Sequence, residues 1–150
     1  MSEVKKKNKK FIYRTNIKWN NEKRGLLSSV GKPDIEIATP PEFQGHAGIW
    51  TPEDLFIASV NSCIMTTFLY YAKKENIKFL SYESEAEGVL ERTENQLVFS
   101  HITVRPKIKI ILSTQKGKIE ELMKRAEANC LISNSIKSNV ETVPEITIGK

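Results

Sequence analysis

Cysteine is scarce in this chain. There are two in 150 residues, at positions 63 and 130, too few and too far apart to staple a disulfide-built secreted scaffold. No Cys-x-x-Cys or Cys/His cluster is present, and His46 and His101 have no second ligand at useful spacing, so no metal site or cofactor is expected. An uninterrupted apolar run of about eighteen residues is also missing. The basic start, Lys5-Lys6-Lys7-Asn8-Lys9-Lys10, leads into Phe11-Ile12-Tyr13-Arg14 and not into a signal-peptide core. The expectation is a cytoplasmic protein with no membrane segment. Repeats are absent, and low complexity is confined to the lysine run.

With 39% hydrophobic residues, the chain has material for one core, so residues 11–150 are read as a single domain behind a flexible basic arm at 1–10. The net charge of +5 is unevenly placed: residues 1–24 carry +7 and residues 25–150 carry −2. The surplus belongs to the arm. Without interleaved aromatics or a recognisable module, a solubilising tail explains it better than a nucleic-acid contact, and no nucleic-acid partner is expected.

The dominant stretch is Thr51 to Asn76, which reads as a buried central helix. Thr51 suits the N-cap, Pro52 the first helical position, and Glu53 and Asp54 the positive helix end. Apolar residues from Leu55 to Ala72 occupy more than one face, so neighbours must cover this helix almost all round. In so small a chain that points to a partner subunit, hence a dimer.

Before the helix, Phe11–Trp19, Leu26–Val30 and Asp34–Ala38 read as a three-strand antiparallel meander. Residues 39–50, with two prolines and two glycines, form a loop that can wall a pocket. After it, Phe79–Arg92 and Leu97–Leu112 make a long hairpin turning at Thr93–Asn95, with Glu83, Glu85 and Glu87 on a solvated face and Pro106 at a bulge or edge. Lys118–Cys130 has helical period, and Val140–Ile148 closes the chain as a strand. This order argues for an α+β fold.

Each cysteine falls on the apolar face of a helix. As a small buried hydrophobe either is inert, since burial raises a thiol's pKa; a reactive thiolate needs a cationic partner. Cys63 lies about 16 Å along the axis from Pro52, too deep for the helix N-terminus to supply it. Glu53, about 15 Å from Cys63 along the same axis, cannot touch it within one helix and is by spacing a helix-start charge. A joint role would need an intermediary such as an arginine.

Thr51-Pro52-Glu53-Asp54-Leu55, Cys63 ten positions after the glutamate, the long hairpin, the second helix and Cys130-Leu131-Ile132-Ser133-Asn134-Ser135 together resemble the OsmC/Ohr family of thiol-dependent peroxidases. The loop Pro40-Pro41-Glu42-Phe43-Gln44-Gly45 is similar to one subgroup of it. The resemblance spans roughly residues 11–148. It implies a swapped homodimer, with antiparallel sheets around two central helices and sites at the subunit interface. It also implies Cys63 as the peroxidatic thiol, Cys130 as its resolving partner in a disulfide, Arg24 as the activating cation and Glu53 as the group that orients Arg24. The substrate would be a hydroperoxide, organic by preference in much of the family, and the reductant an external dithiol of lipoyl or thioredoxin type. Phe43, Ile49, Trp50 and Phe56 are candidates for an apolar substrate pocket. One departure stands out: many members carry proline after the second cysteine, where this chain has Leu131. A rival reading keeps the fold but not the chemistry, with a small lipophilic ligand bound at the dimer interface. Nucleic-acid binding through the arm ranks last.

Overall fold

A computed structural model describes residues 8–149, so residues 1–7 of the expected arm lie outside the described residues. The chain forms two compact units, the first ending at Pro52 and the second beginning at Glu53.

The first unit is the expected meander, β1 (Asn16–Trp19), β2 (Arg24–Ser28) and β3 (Ile35–Ala38), paired antiparallel in that order. β1 is shorter than its alternating residues suggest, because its ladder ends at Asn16 opposite Ser28. Beyond that point β2 gives way to a turn in which Gly31 takes a positive φ of 75°, and the pairing is replaced by a single bond from the Ser29 hydroxyl to the Arg14 carbonyl. The loop after β3 is tightly folded. Pro41–Phe43 form a 3-10 turn closed by Gln44 in the left-handed region, and Gly45 and His46 donate their N–H groups back to the carbonyls of Pro40 and Thr39. A Cβ on Gly45 would lie 1.7 Å from the Thr39 carbonyl oxygen, so only glycine fits.

In the second unit, α1 (Pro52–Lys74) is followed by β4 (Ser81–Thr93), β5 (Gln96–Ile110), α2 (Lys116–Asn129), β6 (Asn139–Thr142) and β7 (Glu145–Ile148). β4 and β5 form the long hairpin, turning on Glu94 and Asn95, both at positive φ, the two-residue turn whose twist matches a hairpin. The outward glutamates are exposed as expected, and the register sets Glu83 opposite Lys107 and Glu85 opposite Arg105. The bulge lies at Val89/Leu90, not at Pro106. Pro106 is buried in mid-strand, and its missing N–H is tolerated because the neighbours on the other side of β5 are interrupted there: β6 covers residues 101–104 and β7 residues 107–110. That interruption is Val143–Pro144, which splits the single closing strand expected from the sequence into two. Both halves run parallel to β5, so the sheet is mixed and not antiparallel throughout. The helical crossover α2 returns the chain to the end of the sheet where β5 began.

The core lies between both helices and β5. Val60, Ile64, Phe68 and Ala72 form one stripe of α1, Ile119, Leu122, Met123 and Ala126 one stripe of α2, and Ile102, Val104, Ile108 and Ile110 the inward residues of β5. Phe68 meets Phe79 and Tyr82 with ring centroids 5.4 Å apart in each case. Within one chain this stripe is the fully buried part of α1, flanked by partly buried Phe56, Ile57, Cys63 and Tyr71; Ser62, Thr66, Leu69 and Tyr70 are exposed on the opposite face, the side for which a partner subunit is expected. One sheet offers one face, so a single chain can cover no more. The helix has the length and composition of a membrane-crossing segment, but its buried stripe is committed to this core. Glu75, just past its end, accepts from Lys118 at 2.6 Å and from Arg125, whose guanidinium also lies over the Tyr71 ring.

Candidate functional site

The structure brings the two cysteines together. Cys63 is half-buried at the middle of α1, and Cys130 is fully buried where α2 ends. α2 stops because Cys130 leaves helical geometry for an extended one, with φ −66° and ψ 109°. The polar residues after it satisfy the open carbonyls: Asn134 donates its side-chain amide to Ala128 and its N–H to Cys130, and the Ser135 hydroxyl donates to Leu131. That arrangement explains the Ser133-Asn134-Ser135 sequence. It also turns the N–H groups of Leu131 and Ile132 toward the Cys63 sulfur and that of Ser133 toward the Cys130 sulfur, 3.5 Å away.

Burial pushes the Cys63 thiol up, but the Cys130 S–H and the Ile132 and Leu131 N–H groups, all hydrogen-bonded to its sulfur, outweigh burial and bring it below the ordinary thiol value. Thr67 adds least. Its hydroxyl oxygen is 2.7 Å from the Cys63 carbonyl oxygen and 3.9 Å from the sulfur, so the carbonyl has first claim on its one proton. Cys130 moves the other way, raised by burial and then by Cys63 itself. The two thiols are thus shifted in opposite directions, Cys63 down and Cys130 up. Leu131 contributes a donor that proline, having no N–H, cannot supply.

Glu53 lies in the first turn of α1, and its Oε2 is buried with no partner among the described residues. Arg24 opens β2 in the first unit. Its Nη2 donates to Nδ1 of His46 at 3.2 Å, and the Nε2 of His46 lies 3.4 Å from a Glu22 carboxylate oxygen. The Arg24 Nε is buried and has no partner among the described residues. His46, to which sequence reasoning assigned no chemistry, is thus bound to the predicted arginine; no spacing rule connects positions 24 and 46. Of the pocket candidates, Ile49 and Trp50 share the wall of a shallow cavity of about 340 Å³ with Ile35. Phe43 sits apart in the 3-10 turn, and Phe56 stacks on Phe99 at 5.1 Å in the second unit. Among the described residues no three His, Cys, Asp or Glu side chains assemble as a metal site.

The family model for OsmC-like proteins matches residues 45–145, and with the paired thiols on this α+β fold it defines the class: the chain belongs to the OsmC/Ohr family. Bacillus subtilis (strain 168) YmaD, an uncharacterized protein, is 23% identical over 141 residues, covering 92% of this chain and 93% of its own. An OsmC-like protein of unknown function from Vibrio cholerae superposes with a TM-score of 0.82 at 20% identity over 90% of this chain and 99% of that one. An organic hydroperoxide resistance protein from Legionella pneumophila does so with a TM-score of 0.67 at 24% identity over 92% and 99%. These likenesses establish the fold.

Proposed function

We propose that the protein is a homodimeric thiol peroxidase that reduces hydroperoxides, organic ones included. The observation that carries this reading is the hydrogen-bonded pair of thiols with opposed acidities, Cys63 lowered and Cys130 raised. The Cys63 thiolate attacks the distal oxygen of the peroxide; the O–O bond breaks, the alkoxide takes up a proton and leaves as an alcohol, and Cys63 becomes a sulfenic acid. With the Cys63 charge gone, one cause of the raised Cys130 pKa disappears. The Cys130 sulfur then attacks the sulfenic sulfur, forming the Cys63–Cys130 disulfide, and hydroxide departs to become water. An external dithiol of lipoyl or thioredoxin type reduces the disulfide, giving up two electrons and two protons and itself becoming a disulfide. Such a reductant suits a cytoplasmic setting.

Arg24 supplies the cation at the reacting sulfur, from its own chain or the partner's, and Glu53 orients it. The support is that a guanidinium N–H and a carboxylate oxygen, groups of complementary chemistry, are each buried without a partner among the described residues, a costly state for either alone. A second copy is supported by the apolar surface left open, with Tyr70 60% exposed on α1, and Ile17 61% and Trp19 72% exposed on β1. The hydroperoxide preference is taken from the name of the Legionella protein and from the apolar candidates Phe43, Ile49, Trp50 and Phe56.

Two variants test the cycle. Cys63→Ser abolishes peroxide consumption, and Cys130→Ser stops after one turnover with Cys63 held as a sulfenic acid that dimedone traps. Peroxide consumption by Cys63→Ser at the wild-type rate would refute the proposal.

A further inference from the structure

We infer that His46 is a second positioning residue for Arg24, beside Glu53, and that it holds the guanidinium only while the imidazole is neutral. This rests on the peroxidase reading of Cys63 and Arg24. A guanidinium has five donors and no acceptor, so the 3.2 Å contact between Arg24 Nη2 and His46 Nδ1 requires a lone pair on Nδ1. The proton of the neutral ring is then on Nε2, where it faces the Glu22 carboxylate at 3.4 Å.

The loop is built to hold this ring in place. His46 is fixed by its N–H bond to Thr39 at 2.9 Å, Thr39 donates to the Lys23 carbonyl at 3.1 Å, and the Lys23 ammonium donates to the Phe43 carbonyl at 3.2 Å. The loop is thus fastened to the turn that carries Glu22 and Arg24. With Nη2 engaged in this way, Nε is a buried donor with no partner among the described residues.

Protonating His46 converts Nδ1 from acceptor to donor and sets a cation against a cation. The charged groups facing the ring are Glu22 on one side and Arg24 on the other, with the Lys23 ammonium turned to a carbonyl. Glu22 is two-thirds exposed and screens the repulsion weakly, so acid releases Arg24 from its bond. The consequence is an acid limb in the peroxide reaction separate from protonation of the Cys63 thiolate.

The test is the second-order rate of Cys63 oxidation by cumene hydroperoxide, followed between about pH 5 and 8, in the wild type, His46→Ala and His46→Asn. Alkylation of Cys63 by iodoacetamide over the same range isolates the thiolate. Losing the anchor is expected to slow oxidation by about tenfold in His46→Ala near neutrality. His46→Asn, whose amide oxygen can replace Nδ1 as acceptor but does not titrate, recovers most of the rate and loses the acid limb that alkylation does not share. An unchanged rate and limb in His46→Ala, with a reactive wild type, overturns the His46 assignment alone. A wild type whose thiols ignore the peroxide overturns this assignment and the peroxidase reading together.

Discussion

Removing the Cys130 thiol should leave Cys63 harder to ionise. Of the hydrogen bonds that lower the Cys63 thiol, the one from Cys130 is the largest, and Cys130→Ala deletes it while leaving the Ile132 and Leu131 N–H groups in place. A hydrogen bond to a charged acceptor is worth about 1.5–3 kcal/mol, and S–H is a weak donor, so about 1 kcal/mol, or roughly fivefold in thiolate population at neutral pH, is the reasonable scale. The assay is alkylation of Cys63 by iodoacetamide, followed by mass spectrometry of the Cys63 peptide. The quantity to compare is the rate near neutrality divided by the plateau rate at high pH, which cancels any change in access. That ratio should fall about fivefold in Cys130→Ala and stay near wild type in Cys130→Ser, which restores a donor. An unchanged ratio in Cys130→Ala would refute the claim that the second thiol stabilises the first as a thiolate.

Leu131→Pro should fold normally, because Cys130 already holds the extended geometry required before proline. It loses one N–H donor to Cys63, so the same alkylation ratio should fall, but by less than in Cys130→Ala. Gly88→Ala should destabilise the protein, since the new Cβ would lie 2.2 Å from Ile57 Cδ1 and 3.1 Å from Phe99. At about 1–3 kcal/mol for overpacking, the midpoint should drop by about 3–10 °C in a thermal melt, and the added Ile57→Ala substitution should recover part of it. Glu75 is held below the usual carboxylate range by hydrogen bonds from Lys118 and then Arg125. Its contribution is therefore present above the unfolded carboxylate value and lost as the pH falls through the lower folded value. Glu75→Gln should lower the melting midpoint slightly at neutral pH, and the gap should close in acid.

Much of the fold was legible because its signals are local. Pro52, Glu53 and Asp54 mark the start of α1, and strict alternation marks β4 and β5. The parallel pairing of β6 and β7 was not, since strand direction depends on where α2 delivers the chain and only Pro144 hints at the break. Both cysteines stood out by rarity, but neither periodicity nor spacing says that positions 63 and 130 meet; that came from family resemblance. Two of the donors that shift Cys63 are the backbone N–H groups of Ile132 and Leu131, which any residue except proline could carry. The bond from Arg24 to His46 joins a turn to a loop 22 residues away, beyond the reach of any local rule. The composition of α1 asks for cover on every side, and one chain buries one stripe fully, which leaves the exposed side to the expected partner subunit.

The most direct test of the central claim is the fate of both thiols when reduced protein meets a slight excess of cumene hydroperoxide, with hydrogen peroxide for comparison. The account predicts rapid loss of both free thiols and an intact mass lower by two hydrogens, faster with the organic peroxide. Thiols that survive native exposure to either peroxide would contradict it and leave Cys63 and Cys130 as structural residues of a binding protein.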